Sequence, residues 1–279
     1  MDEVSKTKQL TVLSLGAGTQ STTLALMAVR GEVVPMPDFA VFADTGWEPR
    51  EVYDHLDWLT DELPYPVHVT SNGNIYKDLK DSATEGSRIA NPPFYTQSAK
   101  GEKGILKRGC TLEYKVIPVI RKIREVMGFK KGQRIKDLHC TNWMGISLDE
   151  ATRMKESGEK WITHRWPLIE KRMNRHDCLL WMEKNEYPKP PRSACVGCPY
   201  HSNDYWRHLK KNSPDEWDEA CDMDDLIRNG INKKSAKDFQ SEKLFTHPDM
   251  VPLREVDLRT DVDKGQLTFL DECDGVCML

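Results

Sequence analysis

The sequence predicts an α/β fold: a mostly parallel central sheet flanked by helices, with a helical, cysteine-bearing part closing over the strand ends. Three observations predict it. The stretch "LTVLSLGAGTQSTTLALMAVRGEV" reads as an apolar strand, a Gly-rich turn and a helix. "PDFAVFADTGWEPREVYDHLDWLTDEL" repeats the plan, with a buried strand at 39–42 and a helix from near Pro49 that carries Val52, Leu56, Leu59 and Leu63 on one side. "PVHVTS", residues 66–71, supplies a third strand. Successive strand–helix units place their strands in parallel, and ligands on such sheets gather at the carboxyl ends of the strands.

Each element in turn has a physical reading. In the first unit, Leu10, Val12 and Leu13 form the strand, and Gly16 and Gly18 break it. A turn of this kind leaves backbone N–H groups unpaired at the positive end of a helix dipole, a setting that binds anions. The hydroxyls of Ser14, Thr19, Ser21 and Thr22 add donors. The spacing matches neither the dinucleotide fingerprint nor the Walker loop, so a purely structural turn stays open. The second strand ends in Asp44-Thr45-Gly46, at the same sheet edge. Residues 107–128, "KRGCTLEYKVIPVIRKIREVMG", predict a helix with an apolar face at Val116, Val119, Ile120, Ile123 and Met127. Cys110 stands near its start among Arg108, Lys115 and Arg121, a setting suited to metal ligation but equally held by an inert, partly buried cysteine. "LHCTNWMGISLDEATRMKES", 138–157, begins as a strand and passes through Gly145 into a predicted helix; an ion pair between Glu150 or Asp149 and Arg153 accounts for the spacing as well as an anion clamp does. A further helix covers about 174–185 and holds Cys178 in its first turns. Residues 214–262, rich in Asp, Glu and Lys, read as a helical extension.

Composition limits the class. The chain has 279 residues, 38% hydrophobic and 30% charged, which is the range of a soluble globular protein. No apolar run approaches the roughly 18 residues of a membrane span, and "MDEVSKTKQL" lacks the layout of a secretory signal, so a cytoplasmic protein without a membrane partner is expected. The net charge of −4 excludes a global basic field for nucleic acid. There are 8 cysteines; without a signal peptide they point to metal or redox work rather than to disulfides.

The cysteine loop is "PRSACVGCPYHSNDYW", 191–206. A thioredoxin-type dithiol opens a helix after a strand, whereas this pair lies in a Pro-rich loop, with Pro199 directly after Cys198 as in ferredoxin ligand runs. Zinc with His201, an iron–sulfur cluster, and no metal at all remain open. The following stretch, Trp206, Arg207, His208, Lys210 and Lys211, suits either a helix surface or a nucleotide or nucleic-acid contact.

"SLGAGTQST" followed by "VFADTGWEPREVYDHLDWL" resembles the phosphoadenosine phosphosulfate reductase family, of the adenine nucleotide alpha-hydrolase superfamily, which also holds ATP pyrophosphatases and tRNA or DNA thiolation enzymes. The likeness spans roughly 9–210, with the tail a weaker addition. It implies a nucleotide site built from Ser14, Gly16, Gly18, Thr19, Gln20 and Ser21 of a Ser-x-Gly-x-x-x-Ser loop, and from Asp44, Thr45 and Gly46, with Tyr53 downstream. Many ATP pyrophosphatases carry Asp where this chain has Gln20, which leans away from a standard ATP–magnesium reaction. Cys110, Lys115 and Pro118 match a Cys-Cys-x-x-x-Lys-x-x-Pro element in which Thr111 replaces the second cysteine. Gly145, Glu150 and Arg153 match a segment that lines the sulfate or phosphate end, with Lys107 or Arg108 nearby. The resemblance further implies a [4Fe–4S] cluster on Cys110, Cys195 and Cys198, with Cys178 as fourth ligand or an open iron in its place. Glu272-Cys273 resembles the family's terminal Glu-Cys-Gly, which makes Cys273 the nucleophile, with Arg153 holding the anion; Cys277 could resolve a persulfide.

The expected organisation is a nucleotide-binding α/β domain over 1–165 and a helical part over 166–279 with the cysteine loop and tail. The expected function is reduction of an adenylyl sulfonucleotide. The alternatives are ATP-dependent sulfur transfer to tRNA or DNA, and a nucleotide- or redox-sensing subunit without catalysis. The implied cofactors are the cluster, ATP or phosphoadenosine phosphosulfate, and magnesium for the ATP reading. The implied partners are a thiol reductant or sulfur-donor protein, tRNA or DNA for thiolation, and a second copy in a homodimer.

Overall fold

A computed structural model of the chain describes residues 8–136, 138–232 and 242–260. Its centre is a five-stranded parallel sheet in the order β3-β2-β1-β6-β7. Strand β1 (Lys8–Leu15) leads through the Gly-rich turn to α1 (Thr19–Val29), β2 (Phe39–Asp44) to α2 (Arg50–Glu62), and β3 (Val67–Ser71) to α3 (Ile75–Glu85). The chain builds outward from β1 to β3, makes two short strands, β4 (Tyr95–Ser98) and β5 (Lys103–Ile105), then returns through α4 (Ile117–Val126) to lay β6 (Leu138–Met144) on the other side of β1. β7 (Ile162–Arg165) follows at that edge, and then α5 (Pro167–Glu170) and α6 (Arg175–Lys184). The strand order therefore reverses between β1 and β6, and that crevice is where open parallel sheets bind ligands.

The first two units form as their periodicity predicts. In α2, Val52, Leu56 and Leu59 are buried, and Leu63 closes the helix against the same core. Each such side chain contributes about 2 kcal/mol of burial. Leu13, Leu15, Ala40, Phe42 and Trp143 face one side of the sheet and pack on α1, α2 and α6. Leu10, Val12, Val41 and Cys140 face the other side and pack on Val119 and Ile123 of α4.

A third core lies beyond the strand ends. Trp47, Ile75, Tyr114 and Val196 meet Trp206 and Leu209 of α7 (Asn203–Asn212) and Trp217, Ala220 and Ile227 of α8 (Pro214–Ile227). This core joins residues from before and after 165. The stretch 214–262 is not helical throughout: β8 (Glu242–Phe245) pairs antiparallel with β4, which also pairs with β5, in a second sheet of three strands. Asp224 fastens it to α8: its buried carboxylate accepts from Thr246 N (2.7 Å), Leu253 N (3.0 Å) and Arg228.

Two predicted helices change form. Residues 112–116 make a π turn before α4, closed by Ile117 N donating to Leu112 O. Pro118 has no N–H for the carbonyl four residues back, which favours the wider turn, and Val116 turns outward, 39% exposed. After Gly145 the chain forms a 3-10 turn, Leu148–Arg153, instead of an α-helix. No described helix is long and apolar enough to cross a membrane.

Candidate functional site

Four segments converge at the carboxyl ends of β1, β2 and β6. The first is the Gly-rich turn. Gly16 N and Gly18 N both donate to Ser21 Oγ (3.2 and 3.3 Å), so the turn's donors converge on one point at the start of α1. Thr19, 2% exposed, has a hydroxyl without a hydrogen-bond partner. Gln20 Nε2 donates to Ser147 Oγ (3.3 Å), and Ser14 Oγ donates to Asn142 Oδ1 (3.0 Å), which ties β1 to β6 across the crevice. Gly145 lies so close that a Cβ there would stand 2.9 Å from Ser21 N and Cα.

The second segment is 44–48. Asp44 Oδ1 accepts from Gly46 N (2.7 Å) and from Tyr53 OH (2.8 Å), which fixes the Asp-Thr-Gly turn. Gly46 has φ +71, the left-handed region that favours glycine, and sits under Asn74, whose Nδ2 donates to Gly46 O (2.9 Å). Burial, reinforced by Asp44, pushes the Tyr53 hydroxyl above its ordinary pKa.

The third segment, 191–201, is the cysteine loop. Val196 N donates to Trp47 O (2.9 Å), and a Cβ on Gly197 would stand 2.2 Å from the Trp47 ring. Ser193 lies over the Gly-rich turn: a Cβ on Gly18 would be 2.9 Å from Ser193 Cβ. Cys198 N donates to Cys195 O (3.0 Å), the turn that sets the two cysteines side by side. His201 holds the loop from below. Its Nε2 lies 2.8 Å from Cys195 O, and its ring stacks on Tyr205 (centroids 3.9 Å) and meets the edge of Trp206. Burial pushes the imidazole down to about 3, so it is neutral. Trp206, read in sequence as a possible ligand contact, is fully buried.

The fourth segment is the π turn. Lys115 Nζ pairs with Glu48 Oε1 (3.2 Å), and Thr45 Oγ1 donates to the same oxygen (3.0 Å). Thr45 Oγ1 is also 3.3 Å from Cys195 Sγ. With its proton on Glu48, the hydroxyl accepts from the thiol. Burial and the Glu48 carboxylate push the Cys195 thiol up, against the pull of Lys115. Glu48 is 4% exposed, and its Oε2 has no partner. Burial is the largest single effect on Lys115 and pushes it down, but Glu48 together with the Cys195 and Cys198 sulfurs pushes it up by more, so the net shift is upward and Lys115 stays charged. Tyr114, the neighbouring residue, donates to Asp78 Oδ2 (2.6 Å) and locks the turn.

The sequence-derived residues divide accordingly. The structure gathers Ser14, Gly16, Gly18, Thr19, Gln20, Ser21, Asp44, Thr45, Gly46, Cys195 and Cys198. The Arg108 guanidinium lies 5.5 Å from the Tyr200 ring of the cysteine loop, while Lys107 is exposed. Arg153 Nη1 pairs with Glu150 Oε1 (2.5 Å) within the 3-10 turn, the helix-type ion pair that its spacing allowed. Cys110 packs against the third core, as Cys195 does. Cys178 is fully buried in the core between the sheet and α1, α2 and α6, apart from the third core on which Cys110 and Cys195 pack. Cys273 and Cys277 lie outside the described residues. Among the described residues no group of three His, Cys, Asp or Glu side chains is placed to hold a metal ion. Among the described residues two adjacent thiols and one orphaned carboxylate oxygen stand at this junction. Sequence reasoning missed Ser193, Asn142 and Gly197, which carry no periodicity and match no motif.

No family model and no curated protein matches the chain. Among solved structures it is similar to a phosphoadenylyl-sulfate (PAPS) reductase from Candida auris in a phosphate complex. That match has 11% identity, 64% of this chain and 74% of the other covered, and a TM-score of 0.41. It is also similar to the U34-tRNA thiolase NcsA from Methanococcus maripaludis with its [4Fe-4S] cluster, at 15% identity, 81% and 74% coverage, and a TM-score of 0.40. At such low similarity neither assigns a residue or a reaction to this chain.

Proposed function

We propose that the protein is an adenine-nucleotide-dependent enzyme of sulfur metabolism, acting as a reductase of an adenylyl sulfonucleotide. One observation carries the reading: the cysteine loop lies directly on the Gly-rich turn and the 44–48 loop, with Cys195 Sγ 3.3 Å from Thr45 Oγ1. A thiol pair and an anion-binding turn then share one cleft at the strand-order reversal. In this reading the 16–21 turn takes phosphate, 44–46 borders the adenosine, and Arg153 with Lys107 or Arg108 meets the sulfate end. Cys273 supplies the attacking thiolate, forming a thiosulfonate bond as the sulfur–oxygen bond to the nucleotide breaks. A thiol reductant then releases sulfite. A [4Fe–4S] cluster, if held, would take Cys110, Cys195 and Cys198 and tune the charge beside the sulfate; iron and acid-labile sulfide in anaerobically purified protein test this.

The placement of Cys195 supports a second reading, ATP-dependent sulfur transfer to tRNA or DNA, because a thiol already stands in the nucleotide cleft without the tail. One assay separates the two. Sulfite release from a sulfonucleotide that is abolished by Cys273→Ser supports the reductase. Pyrophosphate release from ATP, stimulated by RNA or DNA and indifferent to Cys273, supports the transferase.

A further inference from the structure

The glycines of the Gly-rich turn are not there for their dihedral freedom. Gly18 has φ −107, open to any residue, and Gly16 is not among the glycines at positive φ. The left-handed residue of the turn is Ala17, at φ 54. What Gly16 and Gly18 provide is space. A Cβ on Gly18 would stand 2.9 Å from Ser193 Cβ and 3.4 Å from Ser193 N. A Cβ on Gly16 would lie 3.5 Å from Ser193 Oγ and 3.7 Å from Ser21 Oγ. The spot beside Gly16 is thus flanked by two hydroxyls from segments 172 positions apart (193 minus 21), next to the N–H groups of Gly16 and Gly18 that converge on Ser21 Oγ.

We propose that Ser193 is a ligand of the bound phosphate, contributed by the cysteine loop rather than by the Gly-rich turn. A tetrahedral oxyanion seated at the turn would replace Ser21 Oγ as the acceptor of Gly16 N and Gly18 N, would draw the Ser21 hydroxyl away from Gly18 O, and would accept from Ser193 Oγ on the other side. Occupancy would therefore clamp the cysteine loop onto the turn. The loop answers as one piece, because Val196 and Gly197 are tied to Trp47 and Cys195 O to His201, so what holds Ser193 also bears on the two thiols. Binding at the turn and access to Cys195 and Cys198 are then reciprocally coupled. This inference rests on the nucleotide reading above and adds to it a residue and a linkage.

The test is calorimetric titration of the full-length wild type and Ser193→Ala with ATP and, in a separate arm, with inorganic phosphate. It is paired with the rate at which iodoacetamide labels Cys195 and Cys198 with and without each ligand. A lost hydrogen bond to a charged group predicts about tenfold or greater weakening. It should appear in both arms if the phosphate group itself is read, and in the ATP arm alone if only a nucleotide phosphate reaches the site. Ligand should slow labelling in the wild type and not in Ser193→Ala. Equal affinity and equal protection in the two proteins would overturn the role of Ser193 while leaving the nucleotide reading standing. Failure of the wild type to bind either ligand would overturn both. Unchanged melting of the unliganded variant excludes misfolding as the cause.

Discussion

Gly145→Ala tests the junction between β6 and the Gly-rich turn. The new Cβ would stand 2.9 Å from Ser21 N and Cα and 3.1 Å from Ser21 Cβ, against a comfortable carbon separation of about 3.5–4.0 Å. The neighbours are mainly backbone, so no flexible side chain can swing away, and the turn must shift by roughly 0.6 Å. Helix α1 cannot simply retreat, since Thr22, Leu24, Ala25 and Leu26 are buried in the core that α6 covers. Overpacking of this kind costs about 1–3 kcal/mol, which at about 2–4 °C per kcal/mol for a chain of this size lowers Tm by about 2–12 °C. The same shift moves the start of α1 and should weaken ATP binding beyond what stability explains. Differential scanning calorimetry and ATP titration measure both effects, with Gly158→Ala, where a Cβ meets nothing within 4 Å, as the neutral reference. Unchanged Tm and affinity would refute the packing argument; lowered Tm with unchanged affinity would refute the turn as the phosphate site.

Three further outcomes follow from the same geometry. Burial pushes His55, whose Nε2 lies 3.0 Å from Thr22 Oγ1, down to about 4 from its ordinary value near 6.5. The unfolded chain then binds the proton more readily, so stability is full above about pH 6.5, falls with pH, and is lost by about 3 kcal/mol below pH 4; urea melts across that window should be flatter for His55→Gln. Asp224→Ala strands Arg228 and the N–H groups of Thr246 and Leu253, and should cost about 3–5 kcal/mol by denaturant titration. Cys178→Ser should leave the iron content of anaerobically purified protein unchanged while Cys195→Ser lowers it, because Cys178 lies in the core between the sheet and α1, α2 and α6, whereas Cys195 packs on the third core beyond the strand ends; loss of iron in Cys178→Ser would restore it to the ligand set.

The parallel sheet was legible because βα units write their burial into local periodicity: Val52, Leu56 and Leu59 fall on one side of α2 and do pack there. The loops at the strand ends were legible as positions but not as partners. Nothing in "GAGT" distinguishes a glycine required by φ from one required by a neighbour 175 positions on (193 minus 18), and the residue that does take positive φ is Ala17. Holding an alanine there costs roughly 1–2 kcal/mol, a strain invisible in composition. The second sheet was missed for a related reason. β4 and β5 are four and three residues long, and β8 is joined to β4 across more than a hundred positions, so pairing rather than alternation defines them. Cys178 lies in the core that α6 shares with α1 and α2, while Cys110 and Cys195 pack on the third core, and spacing along the chain does not say which core a helix joins.

The Glu48–Lys115 pair favours a functional over a purely structural reading of this strand-end junction. Burying the Glu48 carboxylate against a partly exposed Lys115 contributes little to stability, since desolvation offsets most of their attraction. Here the carboxylate is 4% exposed and still leaves Oε2 without a partner, an arrangement that weakens the fold unless something else uses it. The pair does not bridge two helices of a core. It joins the 44–48 loop, the π turn and, through Thr45 Oγ1, the Cys195 thiol. The π turn itself is a departure from α geometry that places Lys115 on Glu48 and Tyr114 on Asp78 from adjacent positions. Orphaned charge, a widened turn and a buried thiol at one strand-end junction are each unfavourable alone, and their coincidence beside the Gly-rich turn is what the proposed site for a charged, sulfur-bearing substrate would draw on.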